Sequence, residues 1–222
     1  MANISLKLGK HPKLDKIHEV EIEWYDAISI RRLKDFLLNC NDVALWERER
    51  TVWDSVKDFD KWLYCFVGHI DDAETIKHCY DECDEKKKEC ISSNSQLDRC
   101  LYNNKIYIGT DIRLDFGKVD TRTIEKRIVE HFNDGDYLEG YRNEAVIFFP
   151  KSITPFEEKY AGDFIDSLET ILIKGNKDAN ENRLGISNEM KIENPELLYP
   201  IERVVNKNNH KAMEENITVD IQ

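Results

Sequence analysis

Apolar and polar residues alternate over residues 17–25, Ile-His-Glu-Val-Glu-Ile-Glu-Trp-Tyr, and this period of two predicts a strand. The period changes over 27–39, where Ile28, Leu33, Phe36 and Leu37 fall near one face of a helix. Asn41 or Asp42 can cap a second helix that runs to about Val56 and carries Trp46 and Trp53. A seven-residue separation is a core-packing spacing, so both tryptophans are expected inside rather than on a partner or DNA surface. Residues 61–67, Lys-Trp-Leu-Tyr-Cys-Phe-Val, are dense in aromatic and β-branched side chains and predict a buried strand. Residues 71–93 are charged and compatible with helix. Another strand is expected over 101–109, with Asn103 and Asn104 in a turn. Ile124, Ile128 and Val129 give 121–132 an amphipathic helical face. Residues 144–149 read as a third buried strand ended by Pro150, and 156–173 as a long helix with Phe164, Leu168, Ile171 and Leu172 inward.

The expected fold is therefore α/β (α+β): a small antiparallel three-stranded sheet flanked by helices, with a helical N-terminal extension and an irregular C-terminal tail. Three regions follow: a strand and helical extension over 1–58, a core over 59–189 with an insertion at 71–103, and a tail over 190–222. Asn, Lys and Glu dominate from Lys174 onward, so the tail is expected either to be flexible or to fold against a partner or second subunit.

Composition narrows the function classes. A 41% hydrophobic content over 222 residues supports a core, while 34% charged residues give a heavily solvated surface. No uncharged apolar run approaches the roughly 20 residues of a membrane span, and no apolar signal segment opens the chain. A cytoplasmic protein without membrane contact is the expectation. The net charge of −12 is spread along the chain with no basic arm, so a nucleic-acid enzyme would need a local basic face formed by folding. Lys126 with Arg127, and Lys174 with Lys177 and Arg183, are candidates. Six cysteines without a signal segment argue against a disulfide framework. Cys79, Cys83, Cys90 and Cys100, with His78, could supply a structural Zn²⁺ site, or they are free thiols in a charged helical insertion.

One ordered series carries chemistry. Tyr107-Ile-Gly109 ends a strand; Arg127 and His131 stand four apart on one helix face; Glu169 lies in Leu-Glu-x-x-Leu-Ile; Asn180 and Asn182 follow. This series resembles the GIY-YIG nuclease family, most closely its small type II restriction endonucleases. Trp62-Leu-Tyr64 looks like the first strand motif with tryptophan replacing glycine, and Tyr107-Ile-Gly109 matches the second. The two tyrosines are 43 residues apart, so the insertion must interrupt the strand pair. Tyr102 is too close to Tyr107 to be the first tyrosine.

The resemblance implies catalytic roles for Tyr64, Tyr107, Arg127, His131 and Asn182, and a metal-ligand role for Glu169. A tyrosine would position or deprotonate water, Arg127 would stabilise phosphate charge, and His131 would hydrogen-bond near the tyrosine base. Magnesium or manganese would be the cofactor, double-stranded DNA the substrate, and a homodimer the assembly, with restriction-type defence the setting. Arg113, Glu157, Glu158 and Asn180 are the rival positions. The contrasting expectation is a catalytically inactive acidic interaction module, a DNA mimic or partner-binding protein, which the uniform negative charge favours.

Overall fold

The computed structural model describes residues 1–9, 14–38, 45–68, 105–115, 118–133, 145–156, 158–177, 196–208 and 213–222. The expected cysteine site, the insertion and both Asn180 and Asn182 lie outside these residues. Strands are β1 (Ala2–Leu8), β2 (Val20–Trp24), β3 (Ile28–Ser29), β4 (Leu63–Gly68), β5 (Lys105–Thr110), β6 (Ile112–Asp115), β7 (Lys118–Thr121), β8 (Val146–Phe148), β9 (Pro150–Thr154), β10 (Glu196–Leu197), β11 (Arg203–Lys207) and β12 (Asn216–Ile221). Helices are α1 (Ile30–Leu38), α2 (Glu47–Val56), α3 (Ile124–Asn133) and α4 (Ala161–Lys177).

The three strands expected from the aromatic and β-branched runs pair antiparallel in the order β8-β4-β5, and β3 adds a fourth on the β8 edge. The expectation of a three-stranded sheet is corrected in a second way. A six-stranded mixed sheet, β10-β1-β12-β11-β2-β9, stands beside the small one. The stretch expected as an irregular tail supplies β10, β11 and β12, and the N-terminal extension supplies β1 and β2. Ala2 lies opposite Ile217, and Leu6 opposite Ile221.

The two sheets share one bent ladder. The antiparallel pair β3/β8 of the small sheet runs on into β2/β9 of the large one, and the Tyr25 amide donates to the Phe149 carbonyl at 3.0 Å between them. Pro150, which has no N–H to give, sits opposite Trp24 where the register shifts at Glu23.

Alternation on β4 and β5 divides the core. Leu63, Cys65, Val67, Ile106 and Ile108 join the cluster that contains the inner face of the large sheet and α4. Tyr64, Phe66 and Tyr107 join the opposite cluster with α1, α2 and α3. Both faces of β4 are thus covered, which explains its uninterrupted apolar run. Phe164, Leu168, Ile171 and Leu172 of α4 are all buried as the helical spacing requires. The tryptophans divide: Trp53 is buried, but Trp46 is 61% exposed. Trp46 precedes the first helical residue, so the seven-residue spacing does not place it on the helix face; the Arg32 guanidinium lies 3.6 Å over its ring instead.

The C-terminal strands grip α4. Ser167 Oγ accepts from the Leu198 and Tyr199 amides at 3.0 and 2.7 Å. Asn176 Oδ1 accepts from the Glu214 amide at 2.7 Å. Gly175 allows β12 to approach closely, because a Cβ there would lie 2.5 Å from Ile217 Cδ1. Ser167→Ala removes the shared acceptor and leaves the two amides without it, so a loss of about 2–4 kcal/mol is expected in urea unfolding. An unchanged midpoint would mean that the C-terminal strands are not held in this way.

Candidate functional site

Backbone pairing sets the site. Tyr64 on β4 lies opposite Gly109 on β5, and Phe66 opposite Tyr107, so the two tyrosines face the same side of the sheet. Their rings are 6.2 Å apart. The missing side chain at 109 is what lets the Tyr64 ring lie where it does. A Cβ at 109 would stand 2.4 Å from Tyr64 Oη, 2.5 Å from Cζ and 2.8 Å from Cε2. The glycine is required by close approach of a ring rather than by backbone conformation.

Helix α3 brings the next two residues. Its four-residue spacing directs Arg127 and His131 to the same face, over the tyrosines. His131 Nε2 and Tyr64 Oη are 2.6 Å apart. The imidazole stands edge-on to Tyr64, Phe66 and Tyr107 at 5.6–5.7 Å between ring centres. The Arg127 guanidinium acts on the Tyr64 phenol by its positive charge.

Glu169, on α4 along edge strand β5, is buried and polar, and its charge is felt at the Tyr64 phenol. Four of the six residues expected from the sequence, Tyr64, Tyr107, Arg127 and His131, therefore gather on one face of the small sheet, whereas Glu169 rides on α4, which packs against the other face. Asn182 lies outside the described residues, as do its rival Asn180 and Glu157. Glu158 is exposed on a short 3-10 turn.

Burial governs protonation here. Tyr64 is fully buried, and desolvation pushes its phenol well above the ordinary value; the neighbouring Tyr107 and Glu169 add to this, and Arg127 opposes it. Burial lowers His131 to about 3, and the positive fields of Arg127 and then Arg122 act in the same direction. Both members of the 2.6 Å pair are therefore neutral at neutral pH. Burial disfavours the Arg127 cation, but the oxygens of Tyr64 and Tyr107 and the Glu130 carboxylate more than restore it.

Three participants escaped sequence reasoning. Arg122 stands just before α3, and both it and Arg127 bind Glu130. A separation of five residues puts Arg122 and Arg127 on no common helix face, so no periodic signal pairs them. Asp111 is the third. Its Oδ1 accepts from the Trp62 amide at 2.7 Å, next to Lys61, whose φ of 55° is left-handed. Asp111 thereby fixes the start of β4 two residues before Tyr64. Among the described residues its Oδ2 has no partner. Burial raises the carboxyl to about 7, against the hydrogen bond from Trp62 and with help from Asp60.

Glu169 offers one carboxylate, and magnesium or manganese takes one or two while keeping several waters. Among the described residues no three His, Cys, Asp or Glu side chains stand together as a metal cage. No helix among them is long and apolar enough to cross a membrane. Comparison with known proteins returned no matching family model, curated protein or solved structure.

Two outcomes follow from this geometry. Gly109→Ala forces the Tyr64 ring to move and is expected to cost about 1–3 kcal/mol. Adding Tyr64→Phe should relieve only part of that loss, since two ring carbons also collide. Full rescue by the double variant would contradict the contact. Asp111 has a folded pKa above its unfolded one, so its contribution is complete below about pH 4 and lost as pH rises through about 7. Asp111→Asn keeps an acceptor for Trp62 but cannot ionise. Urea midpoints of the parent should fall between pH 4 and 7 relative to that variant; parallel profiles would remove the ionisable Asp111 from the account.

Proposed function

We propose that this chain is a metal-dependent phosphodiesterase that hydrolyses DNA, of the GIY-YIG type. What supports the reading is one observation: a fully buried tyrosine hydroxyl stands 2.6 Å from His131 Nε2, with the Tyr107 ring beside it and the charge of Arg127 acting on it. Hydrolysis of a phosphodiester needs an activated water, stabilisation of phosphate charge and a group that eases departure of the leaving oxygen.

In this reading Tyr64 is the proton carrier. Burial of Tyr64 disfavours a standing phenolate. The phenol donates to the lone pair of His131 Nε2 while it accepts a proton from the attacking water, so the phenol ends neutral and the imidazole takes the charge. A free imidazole of pKa about 3 is a weak base. Burial is the largest cause of that depression and persists, but a bound phosphate would offset the lesser fields of Arg127 and Arg122 and make the imidazole more basic. The base is thus strengthened by the substrate that it serves. Arg127 binds the non-bridging phosphate oxygens, and Tyr107 orients the water from the same sheet face. Glu169 would hold magnesium or manganese, which would supply neutralisation of charge at the phosphate and the leaving oxygen.

A second reading, an acidic interaction module without catalysis, rests on the net charge of −12. One assay separates the two. Duplex DNA is incubated with the protein and Mg²⁺ or Mn²⁺, beside Glu169→Ala, Tyr107→Phe and Tyr64→Phe. The parent should cut, Glu169→Ala should be inactive with an intact fold, and each tyrosine variant should lose about 10²-fold or more in kcat with binding retained. Intact DNA under every condition would favour the acidic module, and parental activity in the variants would remove the assigned roles.

A further inference from the structure

Arg122 was not part of the sequence series, and the proposed hydrolysis does not require it. Its surroundings are nevertheless unusual. Arg122 and Arg127 both reach the same carboxylate oxygen, Glu130 Oε2. One carboxylate therefore faces two guanidinium groups, leaving a surplus positive charge in a chain of net charge −12. Among the described residues, the Nε of each arginine is shut from solvent and has no hydrogen-bond partner. A buried charged donor without an acceptor is costly. The side chains of Arg122 and Arg127 are 15% and 23% exposed, so they form the more open side of a site whose Tyr64, Tyr107 and His131 are sealed.

We infer that Arg122 and Arg127 form a two-arginine site for the sugar-phosphate backbone of DNA, with Glu130 as its built-in counterion. Arg127 takes the phosphate at Tyr64, and Arg122 takes the adjacent phosphate of the same strand. Guanidinium forks match phosphate oxygens by paired hydrogen bonds, and the terminal nitrogens that hold Glu130 become available when phosphate displaces it. Glu130 keeps the cations tolerable in the free protein and is exchanged for phosphate on binding. The inference deepens the nuclease reading by naming how the substrate backbone is held, and it assigns Arg122 to binding rather than to chemistry.

The test is binding of a short DNA duplex in EDTA, where no metal-dependent cleavage occurs, over a series of salt concentrations. Arg122→Gln should weaken binding about tenfold at low salt and reduce the salt slope by roughly 0.9, one phosphate contact. Glu130→Gln should do the opposite and tighten binding, because it removes the competing carboxylate. That opposite sign separates a binding site from a merely structural ion pair, in which both variants would weaken binding or leave it alone. Circular dichroism checks that each variant is folded. Parental affinity and slope in Arg122→Gln, weaker binding in Glu130→Gln, or no duplex binding by the parent would each overturn the inference. Displacement of the duplex by inorganic phosphate at equimolar concentration would overturn the assignment to a DNA backbone. Cleavage in Mg²⁺ is read separately: a protein that binds as stated but cuts nothing keeps the two-arginine site and loses the nuclease reading.

Discussion

The structure around the site depends on the contact between the Tyr64 ring and the bare backbone of Gly109. The β4/β5 register puts these residues opposite each other, and the ring occupies the space that any side chain at 109 would fill. From that position the phenol reaches His131 across the sheet face, within the field of Arg127. Burying a hydroxyl without a partner costs about 1–3 kcal/mol, and the hydrogen bond with His131 offsets that cost. The same burial favours the protonated phenol and the neutral imidazole, and in the proposed hydrolysis this pair passes a proton along.

The large sheet serves the small one through α4. That helix packs along β5 and also against β1, β10 and β12. Ser167, Gly175 and Asn176 fix it from the C-terminal side, and Glu169 lies between the first two of these. Strands drawn from both ends of the chain thus set the height and rotation of the helix that carries the carboxylate. Asp111 plays the corresponding part on the other side, where it holds the left-handed turn at Lys61 that feeds β4.

Much of this was legible locally. The period of two across β2, and the aromatic run of β4, reflect burial that each residue meets within its own strand. Arg127 and His131 declare themselves because a helix repeats every 3.6 residues. The large sheet was not legible, because its pairings are remote: β1 finds β12 from the opposite end of the chain, and neither strand carries a turn signal that names its partner. Arg122 was hidden for a related reason. It meets Arg127 through Glu130, a contact made by long side chains around a helix start and not by position on one face. Trp46 misled because its spacing to Trp53 has helical meaning only if both residues are in the helix. Asp111 carries no motif at all; its importance comes from a turn 49 residues away in sequence.

The most direct test of the account is the ¹⁵N chemical shift of the His131 ring, followed from pH 4 to pH 8. A neutral imidazole whose Nε2 accepts from Tyr64 should hold its shifts constant through this range, because its pKa lies near 3. Its Nε2 signal should move when Tyr64 is replaced by phenylalanine. Titration with a midpoint near the ordinary 6.5, unaltered by that replacement, would show an imidazole free of the buried phenol and would contradict the account at its centre.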